Sequence, residues 1–135
     1  MDYVFDACAL IAFLNDEAGA EAVARLLTQA GTGTDRLFMS NIQILEVYYD
    51  RIYVRDRAYA DTFLEYLYAS PIIILPEISR DAIREARRFK TSYSMSLADS
   101  ILCATVKSLE ATIVTKDEEL KAPEQAGEFT VLWLN

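Results

Sequence analysis

Histidine is absent from the 135 residues, which excludes histidine general bases, Ser-His-Asp and Cys-His catalysis, and mixed Cys/His metal sites. Cysteine is almost as scarce. Cys8 and Cys103 stand far apart in the chain, so neither a secreted disulfide scaffold nor a paired zinc or redox motif is present. Only 4 glycines and 3 prolines occur, which leaves little room for linkers or low-complexity segments. Positive charge is in short supply. The 13 Lys and Arg face 21 Asp and Glu, a formal net charge of -8, which disfavours unaided attachment to anionic membranes or nucleic acid and leaves open a local basic face. No apolar run approaches the roughly 20 residues that span a bilayer, and no basic segment precedes the first apolar residues, so a cytoplasmic protein without membrane association is expected. What is present is an ordinary core-forming composition, 53% hydrophobic and 25% charged, at a length that suits one domain over 1–135.

The segment YVF at 3–5 reads as a buried strand that feeds a helix directly after Asp6. Residues 17–30 have a helical apolar stripe (Ala18, Ala22, Leu26, Ala30), GTGTD reads as a turn, and Leu37 to Met39 form a short strand. Ser40 and Gln43 make a capping box for a helix over 40–54 whose apolar residues occupy several faces, which predicts deep burial. A helix over about 56–69 ends before Pro71, and IIIL at 72–75 reads as a fully buried strand stopped by Pro76. Ser79 and Ser96 cap the next two helices, TIV at 112–114 is a strand, Thr115 and Glu118 suit a second capping box, and VLWL at 131–134 is the last strand. Short buried strands alternating with helices imply an α/β fold with parallel pairing and helices on both faces. Ligands of such sheets bind beyond the C-terminal strand ends, where Asp6 stands.

Four acids stand out by context: Asp6 after the first strand, Glu46 inside the apolar SNIQILEVYY, Asp99 in the first turn of its helix, and Asp117 after TIVT. Each alone has a structural reading as a cap, a helix-dipole partner or an ion-pair member. Gathered at one rim, they would repel one another unless a hard divalent cation compensated them. Mg²⁺ or Mn²⁺ accepts such an all-oxygen set, and a phosphodiester is then the natural substrate class, with no protein nucleophile required.

VFDACALIAFLN, SNIQILEVYY, SLADSILCATVKSLEATIVTKDEEL and VLWL, in that order, resemble the PIN-domain nucleases, and within them the VapC-type toxins of toxin–antitoxin pairs. The resemblance covers nearly the whole chain. It implies a three-layer α/β/α sandwich around a mainly parallel five-stranded sheet and an endoribonuclease site using Mg²⁺ or Mn²⁺. Its acidic positions map onto Asp6, Glu46, Asp99 and Asp117, as metal ligands and catalytic residues. It also implies an RNA substrate, a cognate VapB-like antitoxin that covers the groove, and a homodimer. Asp6 is the first choice of central ligand, Asp99 and Asp117 complete or support that site, and Glu46 supports a second ion or orients the attacking water. Ser40 or Asn41 could assist by hydrogen bonding near the groove, and Thr115 could tether Asp117 or cap its turn.

Two features sit less easily with RNA cleavage. RDAIREARRFK places Arg80, Arg84, Arg87, Arg88 and Lys90 against only Asp81 and Glu85, either as a basic stripe for RNA or as a solvated face with intrahelical pairs. VYYDRIYVRDR, rich in Tyr and Arg, suits base stacking, an antitoxin or dimer contact, or plain packing. Among rivals, the haloacid-dehalogenase-like phosphatases would need an acid at Cys8, and no glycine-rich GKS or GKT cradle exists for a P-loop enzyme. A catalytically inactive PIN-like module that binds RNA or protein remains the alternative.

Overall fold

The computed structural model describes residues 1–135. Strands β1 (Asp2–Phe5), β2 (Arg36–Ser40), β3 (Ile73–Leu75), β4 (Thr112–Thr115) and β5 (Thr130–Trp133) form one sheet in the order β3-β2-β1-β4-β5. Every pairing is parallel, with Val4 opposite both Phe38 and Ile113. The helices are α1 (Ala7–Leu14), α2 (Ala20–Thr32), α3 (Asn41–Val54), α4 (Arg57–Ala69), α5 (Arg80–Ser92), α6 (Leu97–Leu109) and the short α7 (Lys121–Gln125).

Successive side chains of a strand point to opposite faces, and the three central strands divide accordingly. Phe5, Leu37, Met39 and Val114 pack with α1 to α4 in one apolar cluster, whereas Val4, Phe38 and Ile113 pack with α5 and α6 in another. The result is the expected α/β/α sandwich with its five-stranded parallel sheet. No helix is long and apolar enough to cross a membrane.

Local departures from the sequence reading have identifiable causes. The IIIL segment is an edge strand, paired only to β2, and Ile73 is 41% exposed instead of fully buried. Helix α3 is buried only along Gln43, Ile44, Val47 and Arg51, while Leu45, Tyr49, Tyr53 and Val54 face out. The second helix starts at Ala20, not 17, because Gly19 turns the chain with φ +93° and an added Cβ there would meet Leu134 Cβ at 2.6 Å. The first capping box is half made: Ser40 Oγ accepts from the Gln43 amide, but the Gln43 side chain goes elsewhere. The second is replaced. Asp117, not Thr115, accepts at the start of the turn Glu118–Leu120, from the Glu119 amide.

Candidate metal centre

Parallel strands β1 and β4 lie side by side and end together, so the residues that follow them, Asp6 and Asp117, emerge on one rim. The first turn of α6 brings Asp99 to the same place. Ser96 Oγ accepts from the Asp99 amide at 3.1 Å, and the Ser96 amide donates to Glu119 Oε2 at 3.2 Å. One carboxylate oxygen from each of Asp6, Asp99 and Asp117 lies within 4.8 Å of the others. Glu46, on α3, lines the same groove of about 380 Å³ but stands outside this tight trio.

Asp6 occupies the N-cap position of α1 yet its side chain makes no capping bond. Thr115 Oγ1 donates to its Oδ2 at 2.7 Å and Cys8 Sγ at 3.3 Å. The fully buried Thr115 hydroxyl also accepts from the Asp117 amide at 2.9 Å, so a single oxygen ties the first and last acids together. Of the two roles open to Thr115 in the sequence, the tether is realised.

The first amide of α1 is satisfied by Gln43, a fully buried side chain on α3. Its Oε1 accepts from the Ala7 amide at 2.9 Å and its Nε2 donates to Ala98 O at 3.4 Å. One amide thus spans the starts of α1 and α6, beside Asp6 and Asp99, from the helix that carries Glu46.

The charges of the trio are not neutralised by protein cations. Lys116 Nζ pairs with Glu17 at 2.7 Å, Lys121 with Glu118 at 3.1 Å, and the buried Arg51 with Asp50 at 2.6 Å. Burial therefore dominates. It raises Asp6 above the usual carboxylate range against the opposing hydrogen bonds from Thr115 and Cys8, and Asp117 adds repulsion. Asp99 is pushed up to about 9, by burial first, then by the facing carboxylates of Asp117 and Glu119 and the charge of Asp6. Glu46 rises through burial and the charges of Asp6 and Asp117. The Cys8 thiol is held up to about 12 by burial and by Asp6. Three converging oxygens without a nearby free cation fit a hard divalent ion of the Mg²⁺ or Mn²⁺ type, which prefers such donors. The donor set does not distinguish one of those ions from the other.

The sequence pointed to the four acids, to the Ser96 cap and to Thr115, and not to the other residues around them. Cys8, Asp50, Ser96 and Glu119 all border the groove. A polar residue two positions after Asp6 and an acid two positions after Asp117 were the available signals. Ser40 and Asn41 line a different groove of about 380 Å³, with Leu75, Pro76 and Ile101. The α5 cations split: Arg88 binds Glu85 and Glu128, Lys90 Nζ donates to Met95 O, and Arg80 and Arg87 make no ion pair.

A family model described as the PIN domain matches residues 3–125. None of the curated proteins is similar enough in sequence to match. Among solved structures, VapBC-1 from nontypeable Haemophilus influenzae is similar with a TM-score of 0.72 and 18% identity, over 99% of this chain and 98% of that one. VapBC2 from Rickettsia felis, bound to a DNA fragment from its promoter, gives 0.75 and 13%, over 100% of both chains. FitAcB from Neisseria gonorrhoeae gives 0.66 and 15%, over 96% of both. At these identities the likeness establishes the fold.

Proposed function

The chain belongs to the PIN-domain family, and from that premise we propose that it is a metal-dependent endoribonuclease, the toxin of a toxin–antitoxin pair. The observation that carries this reading is the convergence of Asp6, Asp99 and Asp117 within 4.8 Å at the C-terminal rim of the sheet. Asp6, Asp99 and Asp117 would hold a Mg²⁺ or Mn²⁺ ion. When bound, such an ion supplies Lewis-acid polarisation of a phosphodiester and an activated water.

The chain's own groups do the rest. The tether through Thr115 fixes Asp6 relative to Asp117, and the Ser96 cap fixes Asp99. Glu46, half-buried in the same groove with a raised affinity for protons, orients the attacking water and accepts its proton, or supports a second ion. In-line attack then leaves a 5′-phosphate and a 3′-hydroxyl. Arg80 and Arg87, exposed and free of ion pairs like Arg25, Arg55 and Arg57, are among the cations open to RNA phosphates on a chain of net charge -8.

All of residues 1–135 act as one domain in the cytoplasm. A VapB-like antitoxin and a second copy of the chain are its protein partners. This is supported by the similar solved structures, several of which are toxin–antitoxin complexes, some with DNA bound. The exposed Tyr49, Tyr53, Tyr66 and Tyr68 of α3 and α4 suit such contacts.

The test compares wild type with Asp6→Asn on structured RNAs with Mg²⁺, Mn²⁺ or EDTA. Metal-dependent cleavage by wild type, reduced by at least about 100-fold in the variant, is the expected result. A cyclic phosphate product would reject the mechanism, and equal cleavage by both proteins would remove the role given to Asp6. Absence of cleavage together with RNA or protein binding would favour an inactive binding module.

A further inference from the structure

We infer that Cys8 is a positioning residue of the metal site: its thiol, donating to Asp6 Oδ2 beside Thr115, determines which oxygen of Asp6 is left to meet a cation. The inference rests on the metal-dependent reading above.

An aspartate at a helix N-cap ordinarily folds over to accept the amide two or three residues on. Asp6 does not. The Ala9 amide bonds instead to the Asp6 backbone oxygen at 3.0 Å, and the carboxylate is turned toward β4. Two donors hold it there, both on Oδ2: the Thr115 hydroxyl at 2.7 Å and the Cys8 thiol at 3.3 Å. No hydrogen bond reaches Oδ1. Since no side-chain oxygen sealed from solvent lacks a partner, Oδ1 opens onto the groove. A carboxylate with one oxygen doubly occupied and the other free is set to bind an ion through a single oxygen.

The thiol is itself fixed. Its sulfur accepts from the Lys116 amide at 3.5 Å and lies 3.3 Å from Thr115 Oγ1, so it is anchored to the end of β4 from the first turn of α1. Its sulfur lies within donating distance of Asp6 Oδ2, and the converging ligand atoms come from the three carboxylates without it. Cys8 therefore acts through Asp6 and not as a ligand, in the manner of the outer hydrogen bonds that orient metal-binding side chains.

Mn²⁺ binding to the full chain, followed by electron paramagnetic resonance, tests this. Cys8→Ala and the larger Cys8→Val, which both remove the donor, should weaken Mn²⁺ binding about tenfold. Cys8→Ser, which keeps a donor, should stay within about threefold of wild type. Having two donorless variants of different size guards against a packing defect, and thermal midpoints in EDTA report any folding loss. Co²⁺-loaded wild type should show no thiolate-to-metal charge-transfer band.

Unchanged Mn²⁺ affinity in a folded donorless variant would overturn the inference. So would equal weakening in Cys8→Ser, or a charge-transfer band that makes the thiol a ligand. Wild type that binds no Mn²⁺ would sink the metal-dependent reading as well. Wild type that binds Mn²⁺ alongside an indifferent Cys8→Ala would sink this inference alone.

Discussion

Replacing Asp99 by Asn should make the metal-free protein more stable and at the same time nearly blind to Mg²⁺. Asp99 is 5% exposed, and its carboxyl is pushed up to about 9 from an ordinary value of 3.8. An acid whose folded pKa is raised keeps a proton that the unfolded chain has released. The corresponding stability is fully present below 3.8 and declines as pH rises toward about 9. At neutral pH the penalty, reduced for solvent screening through the open groove, comes to about 2 kcal/mol. Asn carries no charge and escapes it, so Asp99→Asn should raise Tm in EDTA by about 6 °C for a domain of this size. The decline of stability with pH should flatten at the same time.

Metal reverses the order. At about 100 times its Kd an ion adds about 2.7 kcal/mol to wild type, and loss of one of three charged ligands should cut that gain to under about 1 kcal/mol. Thermal unfolding at about pH 5, 7 and 9, with EDTA or Mg²⁺, reads both effects. An Asn variant less stable than wild type in EDTA at neutral pH would refute the claim that burial beside the other carboxylates penalises the Asp99 carboxyl. A full Mg²⁺ response in the variant would refute Asp99 as a ligand.

Two further outcomes follow from hydrogen bonds away from the ligand oxygens. Gln43→Leu removes the acceptor of the buried Ala7 amide and the bridge to Ala98, and should cost about 2 kcal/mol in urea unfolding; a loss under about 0.5 kcal/mol would mean that the bridge is idle. Glu128, bound by Arg88, Lys107 and Tyr93, has its pKa lowered to about 2 from 4.5. A lowered acid stabilises above its unfolded pKa and loses that contribution as pH falls. Glu128→Gln should thus cost about 1 kcal/mol at neutral pH after screening, and the difference from wild type should vanish between pH 4.5 and about 2. A difference that persists in acid would locate the effect in packing.

Much of this architecture was legible in the sequence because short β-branched or aromatic runs and cap residues are local signals. YVF, TIV and the serines at 79 and 96 did what such residues do in isolation. The acids were legible too, each at a strand end or in a helix turn where a carboxylate needs a reason. Edge position was not legible. IIIL has the composition of a central strand, and only the strand order shows that it has one neighbour. Nor could Gln43 be read correctly, since its partners at Ala7 and Ala98 are distant in sequence and the nearby cap offered a plausible local use. Thr115 offered a local tether to Asp117 or a cap, and its bond to Asp6, which crosses nearly the whole chain, was not legible. Glu46 read as apart from the central ligand set, and the fold keeps it in the same groove but outside the trio.

The order of the sheet also has a bearing on how the protein is made. Asp6 is made long before Asp117, but β1 has β2 on one side only until β4 slots in along the other. The tether from Thr115 and the third acid of the trio arrive with that same strand, so the trio cannot assemble before Asp117 has been synthesised. A translation product broken off earlier carries Asp6, Glu46 and Asp99 and lacks the completed trio. Gathering of the acidic trio is thereby deferred until the strand that leads to Asp117 has joined the sheet.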